Sequence, residues 1–178
     1  VLLLITAKNI WKTRHRSASK YYSDVELPTV TVAIPARNET AELTSCLTNI
    51  IANNYPKLEI LVLDDCSQDR TADVIKAFAR DGVRFVRGHE PEKRWLAKNQ
   101  AYAKLAQEAS GEYILFCGVD VRMGPDAIRA LVSSALTKNK HMICVMPFRT
   151  GSKVNTALIQ PLRYWWELAL PRKLFNRP

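Results

Sequence analysis

The feature that most restricts the fold is a repeated switch of hydrophobic period, from runs of strand-formers to stripes at helical spacing and back. "TVTVAIP" (residues 29–35) reads as a buried strand, and Leu43, Cys46, Leu47, Ile50 and Ile51 then make a helical stripe. "EILVL" (59–63) is a second strand, after which Val74, Ile75 and Phe78 mark a second helix. "VRFVR" (83–87) is a short third strand, followed by a helix over residues 96–109. "EYILFC" (112–117) is a fourth strand, and Ile128, Leu131, Val132, Ala135 and Leu136 share one side of another helix. "MICVMP" (142–147) reads as a fifth strand. Units alternating at this length predict an α/β fold: a mostly parallel, Rossmann-like sheet with helices on both faces.

In such a sheet every strand delivers its C-terminal end to one edge, and ligands bind beyond that edge. Three polar clusters follow strands here: "PARNE" (35–39), "DDCSQD" (64–69) and "GVDVR" (118–122). The middle one begins with adjacent carboxylates, Asp64 and Asp65. Neighbouring like charges repel and are costly to desolvate, so the pair needs a partner or a purpose. Ser67 and Asp69 read as ordinary helix N-terminal residues. Capping accounts less well for Asp64 and Asp65, which stand at the strand end before the turn. No G-x-G-x-x-G and no G-K-[ST] loop is present, so neither a dinucleotide fingerprint nor a P-loop is offered.

A net charge of +9 over 178 residues suggests nucleic acid until it is located. Residues 1–20 and 149–178 each carry +5, which leaves −1 for residues 21–148. A nucleic-acid reader carries its basic stripe on the folded body, so no nucleic-acid partner is expected. The opening "VLLLITAKNIWKTRHRSASK" runs from apolar to cationic, the reverse of a secretory signal. Its apolar part is shorter than the roughly 20 residues that span a bilayer. Residues 1–24 are therefore expected to be a juxtamembrane segment at the end of a membrane helix, with Lys12, Arg14, Arg16 and Lys20 on the cytoplasmic side. Cys46, Cys66, Cys117 and Cys144 form no C-x-x-C pair and read as buried free thiols in a reducing compartment. His15, His89 and His141 form no ligand pattern and receive no role.

Taken in order, "VTVAIPARNE", "EILVLDDCSQDRT" and "GEYILFCGVDVRMGPDAI" resemble the strand-end segments of a family 2 glycosyltransferase of the GT-A fold. "WLAKNQA" is similar to the W-x-G-K-x-x-A segment of a membrane-associated branch, with Ala97 in the glycine place. The resemblance covers about residues 29–148, so residues 25–150 would be the nucleotide-sugar-binding half and 151–178 the start of an acceptor-side, membrane-near region. It implies that Pro35, Asn38 and Glu39 line the base and ribose pocket. It implies also that Asp65, with Asp64 beside it, hydrogen-bonds the base or ribose, and that Lys98 lies near the diphosphate.

The family's two metal-binding aspartates around one residue are here Gly118-Val119-Asp120, so one carboxylate is lost. Asp120 would hold Mg²⁺ or Mn²⁺, with phosphate and water supplying other ligands. Without a metal, Lys98 or Arg122 would hold the diphosphate. Asp126 reads as a first-turn helix residue after Pro125. The resemblance implies an inverting transfer of sugar, most simply from a UDP-sugar, to a lipid or glycan acceptor at the membrane. An acidic general base performs that step, and none is nominated here: Glu167, the only acid after Asp126, lies in the apolar "LRYWWELALP". Two other readings share some of these features. A receiver-type domain has its acidic pair after the first strand, not the second. A GT-A-like domain with impaired chemistry, serving as nucleotide binder or scaffold, is the alternative that Gly118 raises.

Overall fold

Each predicted strand up to the fourth is built from β-branched and aliphatic residues, and in the computed structural model, which describes residues 22–145, each becomes a strand. These are β1 (Val30–Ala36), β2 (Leu58–Asp64), β3 (Val83–Arg87) and β4 (Tyr113–Phe116). All pair in parallel, in the order β3-β2-β1-β4. The helices are α1 (Thr40–Ile51), α2 (Thr71–Ala77), α3 (Ala97–Glu108) and α4 (Ala127–Thr137). By its internal contacts Ser19–Ile143 forms one unit.

Burial on both faces follows from the period of two along each strand. Val30, Val32, Ile34 and Ala36 of β1 join Ile60 and Val62 of β2 in one core, with Leu43, Leu47 and Ile50 of α1, Ile75 of α2 and Val132 of α4. The alternate residues Ala33, Leu61 and Leu63 pack on the other side against Ala101 and Leu105 of α3. Right-handed crossovers account for this split. The chain moves outward from β1 through β2 to β3, then returns past them to β4, which carries α3 to the opposite face. The reversal creates a switch point between β1 and β4, and their C-terminal loops flank it.

Four details differ from the sequence expectation. The "MICVMP" run is not a strand where it is described: residues 142–145 pair with nothing in the ladder, and Met142 is 85% exposed. An apolar run becomes a strand only where a neighbouring strand supplies ladder partners. Ile51 falls off the buried stripe of α1 and is exposed. The second helix is cut short and tightens into a 3₁₀ turn, Phe78–Asp81, which Gly82 ends at φ +85°. All four cysteines are free as expected, but Cys66 is half-buried and Cys144 exposed. Burial pushes the Cys46 thiol up to about 11 and the Cys117 thiol up to about 12, so both are inert at neutral pH. The expectations for residues 1–21 and 146–178, including Trp165, Trp166 and Glu167, lie outside the described residues.

What positions the functional edge is a polar staple between the loops after β1 and β2. Asp69 Oδ1 accepts from the Thr71 amide (3.0 Å) and from Thr71 Oγ1. Its Oδ2 accepts from Thr40 Oγ1 (2.6 Å) and the Thr40 amide (3.3 Å). One carboxylate thus serves the first residues of both α1 and α2, although it occupies neither N-cap position. Around it, the Asn38 amide donates to Ser67 Oγ (3.0 Å) and the Gln68 amide to Asn38 Oδ1 (2.9 Å). The Glu39 amide donates to Thr71 Oγ1 (2.9 Å).

Hydrogen bonds to its ionised form, from Thr40 and then Thr71, lower the Asp69 carboxyl from 3.8 to about 2. A depressed carboxylate contributes stability above its unfolded pKa, and that contribution is lost as pH falls through the folded value. The contribution of Asp69 is therefore complete at neutral pH and disappears between about pH 4 and pH 2. Asp69→Asn should lower the urea midpoint at pH 7 and flatten its decline across that window, as measured by fluorescence-monitored unfolding at stepped pH.

Candidate functional site

The two adjacent aspartates do different work. Asp64 ends β2, and its Oδ1 accepts from the Ser67 amide (3.2 Å), closing the turn that follows. Its carbonyl accepts from the Gly88 amide (2.8 Å), which ties the end of β3 to the end of β2. Only glycine permits that approach, because a Cβ at Gly88 would lie 2.5 Å from the Asp64 carbonyl oxygen. Asp65 extends the ladder by one bond, its amide donating to the Ala36 carbonyl (2.8 Å). Its side chain caps nothing. It is 8% exposed and sits 3.8 Å from the guanidinium of Arg37, its ion-pair partner.

Burial pushes the Asp65 carboxyl above the usual carboxylate range, Arg37 pulls it back, and Glu90 and Asp64 push it further. A carboxylate held there at neutral pH costs stability that a hydrogen-bond donor from a ligand would offset. The backbone beside it is also strained. Cys66 has φ +56° and Asn38 φ +55°, left-handed values that asparagine tolerates and cysteine rarely adopts. Such residues gather where a structure over-determines a functional loop.

Pro35 lies half-buried in β1, level with Leu63. In β1 the Ala36 carbonyl is bonded on the β2 side and the Ala33 carbonyl on the β4 side, accepting from Cys117. By the alternation of a parallel ladder, Pro35 therefore faces β4, whose pairing stops at Ala33. Having no N–H, Pro35 cannot donate to continue that ladder. Asn38 spends its side-chain oxygen on Gln68, while Glu39 stands at the N-cap of α1 with no side-chain cap bond.

Lys98 occupies the first turn of α3, exposed, its ammonium 5.9 Å from the Tyr102 ring centroid. That turn holds no acid, so the helix N-terminus and Lys98 present positive charge together. Asp120 is exposed beyond β4, and its carboxylate has no hydrogen-bond or ion-pair partner among the described residues. Gly118 is not held at positive φ, yet a Cβ there would come 2.6 Å from Asp120 Oδ1. The Asp120 carboxylate thus folds back over the position where the family's other carboxylate would begin. Neither Lys98 nor Asp120 makes a hydrogen bond or ion pair with Asp64 or Asp65. Among the described residues no three His, Cys, Asp or Glu side chains converge on one point.

Arg122 is not the spare cation the sequence suggested. Its Nη1 donates to the carbonyls of Val119 (2.7 Å) and Val121 (3.0 Å), its Nε to Ser45 Oγ (3.1 Å) and its Nη2 to Glu42 Oε2 (2.8 Å). It clamps the Asp120 loop onto α1. Asn49 repeats the device one turn on, exchanging two bonds with the Met123 backbone, and Asn53 donates to the Gly124 carbonyl. Sequence reasoning missed these holders. Their only signal was a pair of asparagines at a spacing of four, Asn49 in the last turn of α1 and Asn53 just beyond its end.

Between the ends of β2 and β3 lies a cleft of about 550 Å³. Asp64, Cys66, Ser67 and Gln68 form one wall, and Arg87, Gly88, His89 and Glu90 the other. Its size suits a small ligand. Of the candidate binding residues named from the sequence only Asp64 lines it, with Asp65 next in the chain and Asn38 joined through Ser67 and Gln68.

The glycosyl transferase family 2 profile matches residues 31–177. The chain is 30% identical over 153 residues to the Bacillus subtilis protein named "Probable glycosyltransferase YdaM", covering 83% of this chain and 36% of that protein. It thus spans about a third of that relative's length. Its fold is similar to that of the mannosyltransferase PcManGT from Pyrobaculum calidifontis in complex with GDP-Man and Mn²⁺. There the TM-score is 0.57 at 24% identity, over 75% of this chain and 43% of the other. It is similar also to S. aureus TarS in complex with UDP-GlcNAc, with a TM-score of 0.56 at 20% identity, over 71% and 36% of the two chains. The parallel sheet with its polar clusters at one edge is thus of the GT-A kind, and the chain belongs to glycosyl transferase family 2.

Proposed function

We propose that this chain is the donor-binding half of an inverting glycosyltransferase that takes a nucleotide-diphosphate sugar, a UDP-sugar in the simplest reading, and serves a lipid or glycan acceptor at the cytoplasmic face of a membrane. The observation that carries the donor reading is Asp65, a carboxylate buried at the sheet edge next to a cleft, with no capping duty and its pKa raised. A nucleoside offers such a group the donors it lacks, as an imide N–H or ribose hydroxyls. Two structures of similar fold hold donors of this class, GDP-Man in PcManGT and UDP-GlcNAc in TarS. In this reading Pro35, Asn38 and Glu39 border the base and ribose, and Lys98 with the N-terminus of α3 faces the diphosphate.

Asp120 supplies one hard oxygen ligand of the kind Mg²⁺ and Mn²⁺ prefer, so the donor chemistry fits, although the described residues offer no complete cage. Bound there with the diphosphate, the cation would neutralise charge on the leaving group. Arg122, Asn49 and Asn53 hold the Asp120 loop against α1, so the carboxylate needs little reorganisation to serve as that ligand. In this reading acceptor binding, the general base and the membrane segment fall to residues outside those described. The membrane assignment rests on the apolar-to-basic order of residues 1–20. No helix among the described residues is long and apolar enough to cross a membrane.

Asp65→Ala should weaken UDP or GDP binding at least about tenfold in titration calorimetry, the loss expected for a charge-assisted hydrogen bond. Unchanged affinity would return Asp65 to a structural part. Wild type should bind the nucleotide more tightly with Mn²⁺ than with EDTA, and Asp120→Asn should remove that difference. If Asp120→Asn keeps the Mn²⁺ effect, Asp120 is not the anchor. Donor binding without sugar transfer by the full-length protein would identify a binding or scaffolding domain instead.

A further inference from the structure

Glu42, Ser45 and Asn49 recur at helical spacing along α1, beside its buried face, and each bonds to the loop after β4. In that loop Asp120 is the third residue of a turn, which the Val121 amide closes on the Gly118 carbonyl (3.2 Å). Arg122 reaches back over the turn. Its Nη1 takes the two carbonyls that flank Asp120, those of Val119 and Val121. Its Nε and Nη2 hold Ser45 Oγ and Glu42 Oε2. One guanidinium nitrogen thus fixes backbone on both sides of Asp120, and the other two are fixed to α1.

Stability does not account for this arrangement. Arg122 and Glu42 are 35% and 62% exposed at the side chain, and ion pairs so exposed contribute little. What the pair does control is the backbone from which the Asp120 side chain departs. Peptide units are planar, so holding the carbonyls on either side narrows the directions open to that side chain. The Asp120 carboxylate has no hydrogen-bond or ion-pair partner of its own among the described residues, so its orientation comes through the backbone. Glu42 stands in the first turn of α1, whose first residue is fastened by Asp69. The helix end beside the "PARNE" loop therefore also sets the Asp120 loop.

Resting on the reading of Asp120 as a metal ligand, we propose that Glu42 is a positioning residue for that ligand. It acts through Arg122, which serves by the shape of its planar fork rather than by its charge. A lysine would keep the charge, but a single ammonium on a flexible stem cannot hold two carbonyls, a hydroxyl and a carboxylate in one plane. The formal charge of Arg122 is answered by Glu42, so it adds little attraction for a diphosphate.

The test is calorimetric titration of the full chain with UDP and GDP, in EDTA and at stepped Mn²⁺, with circular dichroism melting beside it. Glu42→Gln should raise the Mn²⁺ concentration that gives half of the gain in nucleotide affinity by at least about tenfold, the lower range for groups that orient a metal ligand. Its affinity in EDTA and its melting midpoint should match wild type. Arg122→Lys should show the same shift, and Glu42→Gln should add nothing in an Asp120→Asn background. A Glu42→Gln variant with the wild-type Mn²⁺ response would overturn the proposal, and so would one weakened equally in Mn²⁺ and EDTA. Arg122→Lys behaving as wild type would show that charge suffices and overturn the fork. If wild type gains nothing from Mn²⁺, or Asp120→Asn keeps the gain, the metal reading of Asp120 fails and this inference falls with it.

Discussion

The β1–β2 ladder is the interaction on which the rest depends. Its register runs unbroken from Val30 opposite Leu58 to Ala36 opposite Asp64, and one further bond joins Asp65 to Ala36. Because the pairing is parallel, the two loops that follow leave the sheet together at one level. Residues 38 and 39 thereby come within hydrogen-bond reach of 67, 68 and 71, and the Asp69 staple becomes possible. A slip by one residue would turn every alternate side chain to the wrong face and remove both cores along with the staple.

The functional edge is set by how each carboxylate is solvated. Asp69 is exposed and surrounded by donors, so its ionised form is favoured. Asp65 is buried with a single cation nearly 4 Å away, so its ionised form is disfavoured. They lie four residues apart in one loop. The first is a structural fastener, and the second keeps an unmet demand for donors, which is the condition under which a buried polar group binds a ligand rather than its own chain. On the β4 side the same economy appears in Arg122. Its guanidinium is committed to Glu42 and to the backbone carbonyls on either side of Asp120, whose own carboxylate is left open to solvent.

Much of this was readable in advance where the physics is local. β3 falls on Val83–Arg87 as the alternation predicts, and α1 buries Leu43, Cys46, Leu47 and Ile50 as its stripe predicts. The "MICVMP" run differs, where it is described, for a reason that is not local: a ladder needs a partner, and residues 142–145 have none among the described residues. Arg122 was misjudged because an exposed arginine beside a strand end looks the same in sequence whether it faces a phosphate or a carbonyl. His89 was given no role because its surroundings, the cleft wall and Lys104 fifteen positions away on another element, are not written in the neighbouring sequence.

By itself the sequence determined the α/β alternation, the three polar clusters at strand ends and the family resemblance, because hydrophobic period and short motifs are properties of neighbouring residues. The tertiary structure alone decided which members of these clusters fasten the loops and which are left without a hydrogen-bond donor. Asp64 and Asp69 find backbone and hydroxyl donors within their own or the adjacent loop, whereas Asp65 is buried where only Arg37 answers it. It also decided that Gly118 leaves room into which Asp120 folds, and that a histidine without a sequence pattern lines the cleft. Those outcomes depend on distances between chain-distant groups and on the water they lose, and a linear pattern carries neither.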